Sequence, residues 1–279
     1  MDAPESLGSY NTPKQNTGSE TMPHLELPGV RLWFEESGGE GVPVIFLHAA
    51  SGTFESWIYQ LPSFIQAGYR CITYDRRGWG RSQPIGTAGQ PGCGSLDLHG
   101  LVEHLGLDRF HLLATAAGGI VALDYALTYP ERVRALAVAN SIGGIQDPEY
   151  LAVQHRLRPS QIQELPIELR ELGPSYRGTN SDGTRRWIEI ERASRQGDTH
   201  GPAQEVQSPM TRARLATMRV PTLIISGGAD LLSPPALMRM LAAPIPGHQW
   251  ACVPEAGHAA FWEDPEAWNR LVLDFLADR

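Results

Sequence analysis

The chain has 279 residues, of which 42% are hydrophobic and 19% are charged, and its formal net charge is −8. This composition is typical of a folded globular protein, either one large α/β domain or a core with an insertion. Nucleic-acid binding, which needs a basic face, is disfavoured, and no apolar run approaches the ~18 residues that a membrane span needs.

The beginning of the chain is polar and rich in proline, glycine, serine, threonine and asparagine. It lacks the basic and apolar segments of a secretory signal peptide, so we predict a disordered tail over residues 1–22. The cysteines, Cys71, Cys93 and Cys252, form no CxxC pair and no even framework. They are typical of a reducing compartment, and the sequence therefore predicts a cytoplasmic protein.

Strand-like apolar runs alternate with helical stretches along most of the remaining chain. The predicted strands cover residues 30–36, 42–47, 70–74, 110–113, 133–141, 222–226 and 249–253. The predicted helices cover residues 56–67, 96–105, the stretch after 110–113 up to about 129, 235–241 and 265–277. Such an alternation with short connections predicts an α/β fold with a mostly parallel sheet covered by helices on both faces.

Residues 143–214 interrupt this alternation, because they contain few β-like runs and helical stretches broken by prolines. The segment is too long to be a plain loop. We therefore predict a helical cap over residues 143–214, inserted into a core of residues 23–142 and 215–279. Such a cap is expected to close a pocket beyond the carboxyl ends of the strands, where ligands of parallel sheets bind.

The most informative turn follows the apolar run 110–113, where very small residues precede a helical pattern. This strand–turn–helix context is that of the G-x-S-x-G nucleophile elbow, with Ala114, Ala116 and Gly118 at its first, serine and last positions. A methyl group cannot attack a carbonyl carbon. The sequence therefore leaves open a false match, a natural protein that is not a hydrolase, or a serine that has been replaced by alanine.

Two polar residues follow the last two predicted strands. Asp230 comes after the strand 222–226 through a Gly-Gly-Ala turn, and His258 comes after the strand 249–253. The chain order is thus position 116, Asp230 and His258, which is the nucleophile–acid–histidine order of one class of serine hydrolases. The carboxyl ends of parallel strands share one sheet edge, so we predict that these residues meet there.

From about Leu25 to its C-terminus the chain resembles the α/β-hydrolase fold superfamily, and within it capped serine hydrolases of the carboxylesterase kind. The likeness is carried by four motifs in order, at residues 44–50, 74–82, 227–234 and 256–258, besides the elbow. It implies that His258 acts as the base, that Asp230 orients it, and that the backbone N–H groups of Ala50 and Ala117 form the oxyanion hole. Ala116 departs from the family pattern, because it stands where the family has its serine.

The resemblance implies no cofactor, and the spacing of the histidines predicts no metal site. The substrate pocket is predicted to contain His48, which would also brace the oxyanion loop, and the aromatic residues Trp57, Trp187 and Phe261. Asp75 and Arg76 are expected to hold their own loop together rather than touch a substrate.

The leading hypothesis is a serine hydrolase of carboxylic ester or lactone bonds in a small, largely apolar substrate, present here as an inactive form with Ala116 in place of the serine. One alternative is an enzyme of the same fold that hydrolyses C–C bonds of diketones or acts without a cofactor on ring systems. The other is a natural non-catalytic protein that binds a small molecule in the former active site. All three have a small-molecule partner and none involves nucleic acid or a membrane.

Overall fold

The computed structural model describes residues 24–86, 92–158, 160–197, 201 and 203–279. The predicted tail, residues 1–22, lies outside this part of the chain. In the described part, the strands are β1 (His24–Leu27), β2 (Val30–Glu36), β3 (Pro43–Leu47), β4 (Arg70–Tyr74), β5 (Gln83–Pro84), β6 (Phe110–Thr115), β7 (Val133–Ala139), β8 (Thr222–Gly227) and β9 (Gln249–Val253).

These strands form one sheet in the order β1-β2-β4-β3-β6-β7-β8-β9, with β5 paired to β2. The pairs from β4 through β3, β6, β7 and β8 to β9 are parallel, whereas β2 pairs antiparallel with β1, β4 and β5. All residues of β6 and β8 are buried, as expected for parallel strands covered on both faces. The predicted α/β fold with a mostly parallel sheet is confirmed.

The helices are α1 (Leu61–Gln66), α2 (Gly94–His104), α3 (Ala117–Thr128), α4 (Pro148–Leu157), α5 (Ile167–Glu171), α6 (Pro174–Thr179), α7 (Ser181–Ser194), α8 (Arg212–Leu215), α9 (Pro235–Ala242), α10 (Ala260–Glu263) and α11 (Pro265–Leu276). Short 3-10 turns cover Phe54–Trp57, Pro130–Arg132 and Ser160–Glu164. No described helix is both long and apolar enough to cross a membrane.

One predicted helix is broken in the structure. The stretch 56–67 divides into the 3-10 turn Phe54–Trp57, which Thr53 caps, and the separate helix α1. Pro62 lies in the first turn of α1, where a residue without an N–H group is tolerated; farther inside a helix it would remove a hydrogen bond. The prediction of one continuous helix was therefore wrong.

Two hydrophobic clusters cover the two faces of the sheet. Successive residues of β3 point to opposite sides, so that Ile45 joins the cluster with α2, α3 and α9, and Phe46 joins the cluster with α1 and α11. Between β7 and β8 the described chain forms the helices α4 to α8, of which α4 to α7 lie within the predicted cap and α8 runs across its predicted end at residue 214. The bounds 143 and 214 of that cap stay a prediction.

Candidate active site

The turn from β6 to α3 holds Ala116 in an unusual backbone conformation, with φ 49° and ψ −119°. Its N–H donates to the carbonyl oxygen of Ala139 at 2.9 Å, and its own carbonyl accepts from Gly119 at 3.0 Å. A positive φ is unfavourable for residues other than glycine and is kept where surrounding structure imposes it, often at functional sites. The elbow is therefore a real, strained turn and not merely a run of small residues.

The small residues after Ala116 are required by close packing of the turn. A Cβ atom on Gly118 would lie 2.5 Å from the carbonyl oxygen of Leu47 and 2.7 Å from that of His48. A Cβ atom on Gly119 would lie 2.6 Å from the side chain of Ser141. The elbow thus fits against the ends of β3 and β7 only when these side chains are absent.

Asp230 and His258 meet at the carboxyl edge of the sheet, as their positions after β8 and β9 predict. The Nδ1 atom of His258 lies 2.9 Å from Oδ2 and 3.0 Å from Oδ1 of Asp230. The carboxylate also accepts hydrogen bonds from the backbone N–H groups of Leu232 at 2.7 Å and Ser233 at 2.9 Å. Because Nδ1 of His258 is hydrogen-bonded to Asp230, the other ring nitrogen, Nε2, can contact a reacting group.

Asn140, which the sequence analysis did not single out, completes the shell around Asp230. Its amide donates to Oδ2 of Asp230 at 2.9 Å and to the carbonyl oxygen of Gly257 at 3.1 Å. Asn140 has a φ of 50°, and Asn140 and Ala116 are the non-glycine residues with a positive φ in the described chain. Both strained residues therefore belong to the same site. Sequence reasoning missed Asn140 because the predicted strand 133–141 includes it, whereas β7 ends at Ala139.

The pKa shifts of His258 and Asp230 favour a role of His258 as a base. Burial alone would lower the pKa of His258, but the charge and hydrogen bond of Asp230, helped by Glu171, raise it above its ordinary value. Burial would likewise raise the pKa of Asp230, but His258 and the hydrogen bonds from Asn140 and Ser233 lower it. Asp230 is therefore ionised, and it stabilises the protonated form of His258.

The oxyanion loop follows β3 and is held by His48. The Nε2 atom of His48 accepts the backbone N–H of Arg76 at 2.9 Å, so Nδ1 carries the proton and donates to the carbonyl oxygen of Ala49 at 2.6 Å. Complete burial, followed by the charge of Arg76, holds the pKa of His48 well below its usual range. A neutral His48 therefore braces this loop.

The two predicted oxyanion residues both line the cavity at the elbow. The carbonyl oxygen of Ala50 accepts the indole N–H of Trp79 at 2.6 Å, which fixes the peptide on that side. Among the described residues, no acceptor contacts the N–H groups of Ala50 and Ala117. These donors are available to a ligand atom above Ala116.

The cavity over Ala116 has a volume of about 220 Å³. On the core side the lining residues are small or apolar except for Asn140 and His258, and on the opposite side they are polar. The core contributes Ala50, Ser51, Ala116, Ala117, Ile120, Asn140, Ile142, Leu232, Ser233 and His258, and the cap region contributes Arg158, Gln163, Arg170 and Glu171. The sequence pattern did not point to the four cap residues, because it does not tell which face of a cap helix is turned to the sheet.

The predicted pocket residues His48, Trp57, Trp187 and Phe261 are not among the described residues that line this cavity. The three aromatic side chains pack on one another in the core, with ring centroids 4.7 Å apart for Trp57 and Phe261 and 5.9 Å apart for Trp187 and Phe261. Their prediction as pocket residues is therefore corrected: their apolar area is buried inside the protein. Trp187 contacts a residue that lines the cavity, because its indole N–H donates to the carboxylate of Glu171 at 3.1 Å.

The loop that carries His258 is tied to the cap region. The carbonyl oxygen of Glu171 accepts the backbone N–H of His258 at 2.6 Å. Glu263 joins the same two parts, because its carboxylate accepts the N–H of Gly257 at 2.9 Å and that of Gly173 at 2.7 Å. Hydrogen bonds therefore link the loop of His258 to the segment between β7 and β8. No cluster of side chains suited to hold a metal ion occurs within the described ranges.

Comparisons with known proteins identify the fold. The sequence model of the α/β hydrolase fold matches residues 42–265. A putative non-heme bromoperoxidase of Mycobacterium tuberculosis is 28% identical over 254 residues, covering 87% of this chain and 96% of the relative. A 2-hydroxy-6-oxononadienedioate/2-hydroxy-6-oxononatrienedioate hydrolase of Comamonas testosteroni is 28% identical, covering 92% of this chain and 95% of the relative.

Solved structures give the same result. A thermophilic esterase from Thermogutta terrifontis superimposes with a TM-score of 0.74 at 26% identity, covering 92% of this chain and 97% of the esterase. Est816, described as an N-acyl homoserine lactone degrading enzyme, superimposes with a TM-score of 0.71 at 25% identity, covering 91% of this chain and all (100%) of that one. The chain belongs to the α/β-hydrolase fold family.

Proposed function

We propose that this protein has the active site of a serine hydrolase of carboxylic ester or lactone bonds, in which Ala116 occupies the place of the nucleophile. The observation that carries the proposal is the strained backbone of Ala116 in one cavity with the His258–Asp230 pair and two free N–H donors. A protein that only folds in this way has no need for that combination, whereas acyl transfer needs each part.

The residues would act in the following way on an ester. A serine hydroxyl at position 116 would give its proton to Nε2 of His258 as its oxygen attacks the carbonyl carbon. Asp230 would stabilise the imidazolium, and the N–H groups of Ala50 and Ala117 would stabilise the negative oxygen. His258 would then return the proton to the leaving alcohol, and water would release the acid by the same two proton transfers. With a methyl group at position 116 the first step cannot occur, so the substrate binds without being cleaved.

The cavity favours a small substrate with a polar end. Ile120, Ile142 and Leu232 provide an apolar surface near Ala116, while Arg158 and Arg170 bring positive charge from the cap. Apolar walls with a few convergent polar groups are typical of small-molecule sites. We therefore infer a substrate that is apolar around the scissile bond and carries at least one polar group, rather than one that is largely apolar throughout.

Hydrolysis of a C–C bond in a diketone is the second candidate. The relative from Comamonas testosteroni is named for dioate substrates, which carry carboxylates, and Arg158 and Arg170 line the cavity over Ala116. The same histidine, aspartate and N–H donors would serve this reaction. The two candidates differ in the bond that lies above Ala116.

The test is the variant Ala116→Ser, assayed with p-nitrophenyl esters, lactones and vinylogous diketone acids. We expect ester or lactone turnover at least ~10³-fold above that of the Ala116 protein, since removal of a triad nucleophile has effects of that size or larger. The double variant Ala116→Ser/His258→Ala is the matched control and is expected to lose the gain. Cleavage of diketones alone would favour the second candidate. A folded Ala116→Ser protein that cleaves none of the panel would favour non-catalytic binding of a small molecule.

A further inference from the structure

Two neighbouring arginines in the loop after β4 are both buried but differ in their partners. Arg77 donates from Nε at 2.9 Å and from Nη2 at 2.6 Å to the carboxylate of Asp97, and from Nη2 to the carbonyl oxygen of Pro28 at 2.9 Å. Arg76 is 3% exposed, and its one side-chain hydrogen bond to a described residue is a long contact of 3.4 Å from Nη1 to Gln204. Its Nε and Nη2 atoms have no partner in the described part of the chain.

Arg76 lines a second cavity, with a volume of about 350 Å³. Ala50, Ala117 and Ile120 line both this cavity and the one over Ala116, so the two spaces meet at the predicted oxyanion hole. The Arg76 guanidinium lies 4.2 Å from the ring centroid of Trp79, which supports it on one face. The two cavities are therefore neighbours, one at the elbow and the other at Arg76.

Within the described ranges no carboxylate forms an ion pair with Arg76; Glu205, which lines the same cavity, is exposed and has no described hydrogen bond to it. Asp124 also lines the second cavity, but its carboxylate already accepts hydrogen bonds from the N–H groups of Gln207 at 2.9 Å and Ser208 at 2.7 Å. Burial lowers the pKa of Arg76 to about 10, which still leaves it protonated at neutral pH. An unpaired buried charge opposes folding, so a cation in this position indicates that a ligand supplies the counter-charge.

Gln204 offers a second donor next to this cation. Its Oε1 atom accepts from Arg76, and its Nε2 atom is buried with no partner among the described residues. A guanidinium binds a carboxylate through parallel N–H groups, and an amide N–H beside it can hold the same oxygen atoms. The unsatisfied donors of both residues therefore match a carboxylate.

We propose that Arg76 and Gln204 form a carboxylate-binding subsite, and that the substrate is an ester or lactone that carries a carboxylate at some distance from the scissile carbonyl. The proposal rests on the proposed function in placing that carbonyl at the N–H groups of Ala50 and Ala117. The chain of the substrate would then pass Ile120 from one cavity to the other. This subsite is separate from Arg158 and Arg170, which lie in the cavity under the cap.

The test is a binding measurement on the protein as it stands, in which Ala116 prevents cleavage. Monomethyl esters of glutaric, adipic, pimelic and suberic acid are compared with the corresponding dimethyl esters by isothermal titration calorimetry. We expect a monoester of one chain length to bind at least ~10-fold more tightly than its diester, which is the scale of one charge-assisted hydrogen bond. The variant Arg76→Met is expected to remove this preference.

Two control variants locate the effect. Arg158→Met leaves the second cavity intact and is expected to keep the preference; if it removes the preference and Arg76→Met does not, the carboxylate binds under the cap and the proposal is wrong. Arg77→Met separates binding from folding, since breaking its pair with Asp97 is expected to lower the thermal midpoint, whereas Arg76→Met is expected to maintain or raise it. A large loss of stability in Arg76→Met would show that this arginine is structural.

The proposal and the proposed function fail in different ways. If Ala116→Ser cleaves monoesters and diesters equally well and no monoester binds more tightly, the hydrolase function stands and the carboxylate subsite does not. If Ala116→Ser cleaves nothing but the monoester preference still depends on Arg76, the subsite stands and the hydrolase function does not.

Discussion

Two residues of the candidate active site have a strained backbone. Ala116 and Asn140 adopt a positive φ, and each is fixed by a contact to another part of the site: Ala116 to the end of β7, and Asn140 to Asp230. The sequence identified Ala116 through the small residues around it. It could not identify Asn140, because its conformation results from the packing of three strand ends and leaves no local pattern.

The protonation of His258 provides a prediction at the scale of single residues. Because Asp230 raises the pKa of His258 above 6.5, we expect an NMR titration of the Ala116 protein to show a His258 pKa above that value. In Asp230→Asn the attraction is lost while burial remains, so the pKa of His258 is expected to fall below 6.5. Equal pKa values in the two proteins would contradict the assignment of Asp230 as the partner.

The sign of the stability effect follows from the same shift. A histidine whose pKa is raised on folding contributes stability that is fully present below its unfolded pKa, near 6.5, and is lost as the pH rises through its folded pKa. Asp230, whose pKa is lowered, contributes stability above about 3.8 that is lost as the pH falls through its folded pKa. Both contributions are therefore complete between about pH 3.8 and 6.5, and each decreases outside that interval as the pH passes through the folded pKa of its residue.

At the scale of elements, close contact between the elbow and the end of β3 is the feature that places the site. We expect Gly118→Ala to reduce the free energy of unfolding by about 1–3 kcal/mol, because the added Cβ atom would collide with the backbone carbonyl groups of Leu47 and His48. Gly178→Ala in α6 is the matched control, since its Cβ would meet no atom within 4 Å and alanine favours a helix. Urea denaturation measures both. Similar stabilities for Gly118→Ala and the parent protein would contradict the described elbow.

The link between the cap region and the histidine loop is also testable. Burial raises the pKa of Glu263 from 4.5 to about 7, despite its hydrogen bonds from Gly257 and Gly173. The folded state therefore binds a proton more tightly than the unfolded chain, and this residue's contribution to stability decreases as the pH rises from 4.5 through about 7. We expect Glu263→Gln to remove that decrease.

The measurement is the free energy of unfolding of the parent protein and of Glu263→Gln at several pH values across that interval. Curves that run parallel for the two proteins would show that Glu263 does not titrate there. Glu266→Gln, in the first turn of α11, is a suitable control because it changes a carboxylate of the same type that has no described hydrogen bond to the cap.

Elements with a strong local signal were predictable from the sequence, and those defined by tertiary contact were not. The strands β2, β4 and β9 have the predicted bounds, because continuous apolar or alternating runs mark them. The short edge strand β1 and the one-turn helix α10 escaped prediction, since four residues hold too little pattern. The sides of the cap helices that face the cavity depend on how the cap is packed, so Arg158, Gln163, Arg170 and Glu171 could not be selected.

At the scale of the whole molecule, the parallel sheet brings distant residues to one edge. Ala116, Asp230 and His258 follow β6, β8 and β9, and the strand order β6-β7-β8-β9 brings these three loops to one edge of the sheet, with Asn140 after β7 between the first two. For this reason the chain order of three residues was enough to predict their meeting. The pattern of aromatic residues could not distinguish a pocket from the core, because large apolar side chains suit both. In the structure, Trp57, Trp187 and Phe261 lie in the core between the sheet and the helices.

We propose that position 116 is the place of a nucleophile in an otherwise complete site. This proposal is tested most directly by treating Ala116→Ser with a reactive organophosphonate and locating the adduct by intact mass and peptide mapping. We expect a single adduct at position 116 of Ala116→Ser, no adduct on the Ala116 protein, and a strongly reduced labelling rate in Ala116→Ser/His258→Ala. A correctly folded Ala116→Ser protein that remains unlabelled, or that is labelled equally fast without His258, would contradict it.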